Sequence, residues 1–229
     1  MLSAIFDPVD ADSRLSRTVS APVPSYAPAA AYGVLGATVL AVALGIGFFT
    51  YGGVFAPLSD VGGLLVGMFL APLVWTLFLL NREDRFDRGV FLVGAAATVG
   101  IVLGSVGLVV MHLFSLNPAV YGTAFLAIQF LGWFLLGLWL FGIGAIGLRT
   151  DAVGRRVSWA GVISGAGAAG GIVALLYSYA VGSFTPAFPF FMAVYAVGFV
   201  LWAFWLGIEL RTAARQPPSD PFAPEKSGP

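Results

Sequence analysis

The stretch GLVVMHLFSLNP, Gly107 to Pro118, holds the only histidine of the chain, His112, where an apolar run gives way to an Asn-Pro turn. An imidazole exchanges protons near neutral pH and serves as general base, proton relay or metal ligand, so His112 is the first residue to weigh for chemistry. Its neighbours by chain topology are Asp60, Asn117 and Tyr121, an outer polar cluster in which Asp60 and His112 are the ionisable members. Two ligands fall short of the three or four protein ligands of a good metal site, so neither a metal nor a cofactor is expected. The bland alternatives are an interfacial histidine and a Ser59 or Asp60 N-cap ahead of VGGLLVGMF, its carboxylate facing the positive helix end.

Other chemistries fall by elimination. There is no cysteine, which removes thiolate nucleophiles, disulfides and iron–sulfur ligation. The sole lysine, Lys226, lies in the C-terminal tail and cannot form a Schiff base within a helix, and one histidine cannot ligate a haem twice within one chain. No Asp, Glu, Lys or Arg is expected in the deep parts of the apolar runs, where ionisable groups usually mark pumps and ion-coupled carriers. Ser164, in GVISGAG, is similar in spelling to the Gly-x-Ser-Gly nucleophile of six-helix intramembrane serine proteases, but its glycine stands three residues before the serine rather than two. Helical rise places His112 and Ser164 some 20 Å apart along the membrane normal, against the roughly 3 Å that a nucleophile and its base require. The chain is therefore expected not to be an enzyme.

The elements that carry these residues follow from composition. Of 229 residues 59% are hydrophobic and only 10% charged, with mean hydropathy +0.94. That is the composition of a membrane protein. Runs of about 20 apolar residues, enough to cross a hydrocarbon core as helix, occur at Ala30–Tyr51, Val61–Leu80, Val90–Phe114, Tyr121–Leu148, Val157–Val181 and Phe188–Leu210. A β-barrel would instead show short segments of alternating polarity. The expected fold is an all-α, polytopic transmembrane bundle of six helices spanning residues 30–211, between tails at 1–29 and 212–229.

All eleven Lys and Arg fall in the two tails and in the second–third and fourth–fifth connections, and none in the other three. The positive-inside rule then puts both termini in the cytoplasm of a cell membrane. Trp75, Trp159, Trp202 and Trp205 fall toward the inner ends and Phe48, Tyr51, Phe114, Tyr121, Tyr177 and Phe184 toward the outer ends, as interfacial belts do. The N-terminal segment lacks the form of a cleavable signal, so the first helix reads as an anchor. The Pro-rich tail RQPPSDPFAPEKSGP reads as a disordered extension. Zero net charge argues against nucleic acid as a partner.

Small residues four apart, such as Ala37, Ala41 and Gly45, or Gly161, Gly165 and Ala169, predict close helix packing, within the chain or against another membrane protein. The run SGAGAAGG, Ser164 to Gly171, is small on nearly every side and predicts a central fifth helix contacted by several neighbours. Gln129, an amide inside the fourth helix, requires a partner on a neighbouring helix such as Ser105. In the basic segment RTDAVGRR, Arg149, Arg155 and Arg156 are candidates for contact with anionic headgroups of the lipid bilayer. NREDRFDRG, Asn81 to Gly89, pairs its charges locally.

The segment LGWFLLGLWLFGIGAIGLRTDAVGRRVSWAGVISGAG, Leu131 to Gly167, resembles the helix, short basic loop and helix of small prokaryotic polytopic proteins known only as domains of unknown function. That resemblance implies a membrane bundle and assigns no residue a role. Two functions fit these observations: a non-enzymatic scaffold, assembly or regulatory component, and a facilitative carrier or channel for a small neutral or apolar solute. Six helices divide into halves of opposite orientation, yet Pro72 interrupts the second helix and nothing similar interrupts the fifth.

Overall fold

In hydrocarbon no water is present to satisfy exposed peptide groups, so a spanning segment must close its own hydrogen bonds, and an α-helix does so within itself. The computed structural model describes residues 23–51, 55–80, 88–150, 153–183 and 185–215. It is all-helical, with no strand among the described residues. The helices are α1 Ala27–Tyr51, α2 Phe55–Leu80, α3 Arg88–Leu113, α4 Thr123–Thr150, α5 Arg155–Ala180 and α6 Ala187–Arg215, with one π turn, Pro118–Gly122, leading into α4. Among the described residues six helices are long and apolar enough to cross a membrane.

Several ends differ from expectation. α2 begins at Phe55 rather than Val61, because Pro57 falls in the first turn, where its missing N–H has no helical partner to lose. Ser59 and Asp60 thus lie inside the helix, and the N-cap reading of either is overturned. Ser59 Oγ donates instead to Ala56 O, 2.8 Å away. α1 starts at Ala27 and α6 runs on to Arg215, so the helical domain extends a little beyond 30–211 at both ends. The tails before residue 23 and after 215, the loop residues 81–87 and Phe184 lie outside the described residues, as do the side chains of Phe48 and Phe49.

Each helix packs against its neighbours in the chain, and α6 returns against α1, so the six form a closed ring. Large side chains fill its interior, with Leu70, Ile101, Leu136, Trp139, Phe199 and Trp202 all essentially inaccessible. Trp139 of α4 and Trp202 of α6 meet edge to face behind α5, centroids 5.7 Å apart. Trp202 is therefore a core residue and not part of an interfacial belt. Trp75 and Trp159 on the one side, and Tyr51, Phe114, Tyr121 and Tyr177 on the other, are exposed on the bundle surface.

The small residues do bring backbones together. A Cβ at Gly167 would stand 2.5 Å from Tyr195 N, one at Gly165 2.6 Å from Gly137 O, and one at Gly100 2.9 Å from Gly132 Cα. But α5 touches chiefly α4 and α6 and turns Trp159, Ile163, Val173 and Leu176 outward, so it is a ring member and not the centre. Its small faces serve two close neighbours. Gly45 at the end of the first stripe meets nothing within 4 Å.

Candidate functional site

The residues with chemical capacity gather at two places, one at each end of the bundle. At the end where α3 runs into the π turn, Asp60 projects from the second turn of α2, Ser105 and His112 lie seven residues apart on one face of α3, and Gln129 stands two turns into α4. Glycines let these three helices converge. A Cβ at Gly104 would meet the Gln129 backbone at about 2.6 Å, and one at Gly63 would stand 2.9 Å from Ser105 Oγ and 3.3 Å from Gln129 Nε2.

Gln129 Nε2 donates to Ser105 Oγ at 2.9 Å, the partner that an amide in hydrocarbon requires. The same amide also stands near the Asp60 carboxylate of α2. His112 Nδ1 lies 2.8 Å from Leu108 O, and because a carbonyl only accepts, this nitrogen carries the proton. It also stands 3.6 Å from Asp60 Oδ2, an ion-pair distance whenever the ring is charged. The His112 side chain is 33% exposed and that of Asp60 13%, so the carboxylate is the inner member and the imidazole the outer one.

The turn beyond His112 is built by backbone geometry. Ser115 takes a left-handed conformation with φ 50°, and Leu116 N donates back to Met111 O, closing α3 as a glycine usually does. At the end of α5 the same closure uses Gly182, φ 67°, with Ser183 N donating to Ser178 O. Asn117 O then accepts from Val120 N and Tyr121 N to start the π turn. Tyr121 is thus tied to the cluster through backbone, with its side chain about half exposed. Of the four expected cluster residues, the structure joins Asp60 and His112 by their side chains and places Asn117 and Tyr121 on the adjoining turn.

Chemically, the arrangement sets an imidazole 3.6 Å from a carboxylate, with the Nδ1 proton given to Leu108 O, and it joins α3 to α4 through the Gln129–Ser105 hydrogen bond. Among the described residues no three His, Cys, Asp or Glu gather closely enough to hold a metal ion. Ser164 is fully buried, and its Oγ donates to Tyr195 O at 2.9 Å, so the hydroxyl is committed to an α5–α6 contact. His112 stands instead on α3 beside α2.

At the opposite end a residue passed over in the sequence takes part. Glu209 lies within α6, partly buried, and its Oε2 accepts from Gly154 N at 3.1 Å, directly before the first turn of α5. A carboxylate there complements the helix dipole. A Cβ at position 154 would collide with that carboxylate, which is why glycine precedes the helix. Arg156 adds an attractive charge to Glu209, so this cation faces a protein carboxylate, while Arg149 and Arg155 are exposed. The available signal was a single acid near the end of an otherwise apolar run, WLGIELR. No family model matches the chain, and neither a curated protein nor a solved structure matches it.

Proposed function

We propose that this chain is a non-enzymatic membrane component that acts as a scaffold, assembly partner or regulatory subunit through its helix faces. The observation that carries this reading is the filled interior of the ring, where Leu70, Ile101, Leu136 and the paired indoles of Trp139 and Trp202 occupy the space a solute path would need. The polar cluster of Asp60, Ser105, His112 and Gln129 ties α2, α3 and α4 together at one end. Glu209 and Gly154 tie α5 to α6 at the other.

A second reading, a facilitative carrier or channel for a small neutral solute, draws on one specific observation. Thr38 Oγ1, Trp139 Nε1, Tyr195 Oη and Trp202 Nε1 are buried without a hydrogen-bond partner among the described residues, and a polar solute would satisfy such groups. Flux separates the two. Purified protein in liposomes is expected to pass glycerol and urea no faster than protein-free liposomes do. Faster passage, lost on Trp139→Phe with Trp202→Phe, would overturn the scaffold reading.

The cation distribution supports a cytoplasmic location for both termini in a cell membrane. Reporter fusions at Asn117 and at the C-terminus are then expected to report opposite sides, with the C-terminal reporter inside. A C-terminal reporter outside would reverse the orientation of all six helices.

A further inference from the structure

α3 and α4 run in close contact over much of their length and then part. Their backbones meet at Gly100 and Gly132, and about two turns on Trp139 lays its indole against Gly94. Toward the end where α3 begins and α4 finishes, the contact opens into an apolar groove of about 230 Å³ lined by Gly89, Val90, Val93, Leu138, Trp139 and Gly142. A Cβ at Gly142 would meet nothing within 4 Å, so the opening is real space beside the backbone and not a packed notch. Leu138, at its edge, is 44% exposed, which turns the groove toward the surrounding hydrocarbon.

Two arginines stand beyond the groove. Leu138, Gly142 and Arg149 recur at i, i+4 and i+11 on one face of α4, which puts Arg149 about 10 Å beyond Gly142 along the helix at 1.5 Å per residue. Arg88 immediately precedes Gly89, and both arginines are exposed. An apolar slot open to lipid, continued by two cations near headgroup depth, matches the two halves of one kind of molecule.

We propose that this groove seats an acyl chain of an anionic phospholipid whose phosphate is held by Arg88 and Arg149. The chain fills apolar space that water would not favour, and the two cations select the headgroup. Glycine at position 142 is what leaves the slot open.

The test is native mass spectrometry of the full chain in mild detergent, titrated with phosphatidylglycerol or with phosphatidylcholine of the same acyl chains. Phosphatidylglycerol is expected to bind more tightly, with Arg88→Gln and Arg149→Gln each weakening it by about fivefold, the effect of one cation near the surface. Gly142→Leu fills the slot and is expected to weaken phosphatidylglycerol binding by about tenfold or more. Gly36→Leu, at another glycine whose Cβ would meet nothing within 4 Å, is expected to leave it unchanged. Equal affinity for the two lipids in the unaltered protein overturns the proposal. So does an adduct that survives Gly142→Leu but disappears with both arginines, since that outcome describes headgroup binding at a charged surface, and so does full displacement by inorganic phosphate. Should Gly142→Leu fail to accumulate, Leu138→Trp narrows the same slot from an already exposed position, and undiminished binding there is equally fatal.

Discussion

Within the Asp60, Ser105, His112 and Gln129 cluster, Gln129 joins α4 to α3 through its amide, which donates to Ser105 Oγ. Hydrogen bonds between membrane helices are modest, since the unfolded chain in lipid also finds partners, and a coupling of about 0.5–1.5 kcal/mol is expected between Gln129→Leu and Ser105→Ala. A double-mutant cycle in detergent unfolding measures it. Strict additivity would show that the 2.9 Å contact carries no energy and leave Asp60 as the real partner of the amide. That Gln129 needs Ser105, and that Asp60 lies near His112, follows from topology and depth alone, and both were legible in the sequence. That Asp60 is not a helix cap was not legible. Phe55, Ala56, Pro57 and Leu58 suit a loop or a first helical turn equally well, and hydropathy cannot separate them. Glu209 escaped for a related reason: an acid close to a span boundary reads as solvated until the partner helix is placed beside it.

For whole helices, lengths and number were legible and rotations were not. A helix that faces lipid on one side and protein on the other is apolar on both, so period 3.6 says little about which side is inside. Trp202 shows the consequence. Its depth suited an interfacial belt, but its direction puts the indole in the core against Trp139. The small residues of α5 were informative about distance and silent about the number of neighbours. Backbone contacts at Gly165 and Gly167 with α4 and α6 leave no room for a side chain, whereas Gly45 on α1 faces open space. Gly167→Leu is therefore expected to cost more than about 3 kcal/mol, above the usual penalty for an overpacked core, because backbone rather than a movable side chain blocks it. Accumulation in the membrane should fall severalfold, and Gly45→Leu should accumulate as the unaltered protein does. Comparable levels for the two variants would mean that α5 and α6 do not approach as closely as the ring requires.

Over the whole molecule, the closed ring depends on one contact that chain order alone does not supply, the return of α6 against α1. Consecutive antiparallel helices pair because short connections leave them little choice, and those five neighbour contacts come with the topology. The sixth joins elements far apart in sequence, and it is where a bundle with exposed packing faces could exchange α1 or α6 with a second copy. Gly207 provides the close approach: a Cβ there would lie 2.9 Å from Cε1 of Tyr32. Because the chain has no cysteine, Tyr32→Cys with Gly207→Cys creates a single reactive pair, and removing the tyrosine ring makes the space that the new side chain at 207 needs. With a protease site inserted at Asn117, a short thiol-specific cross-linker should join the two halves of one chain, so that they migrate together after cleavage. Cross-linked species of twice the chain mass before cleavage would place α6 of one copy against α1 of another. Halves that separate fully despite labelling at both cysteines would mean that the ring is open at α1 and α6, and that the faces now buried there are available to a different partner.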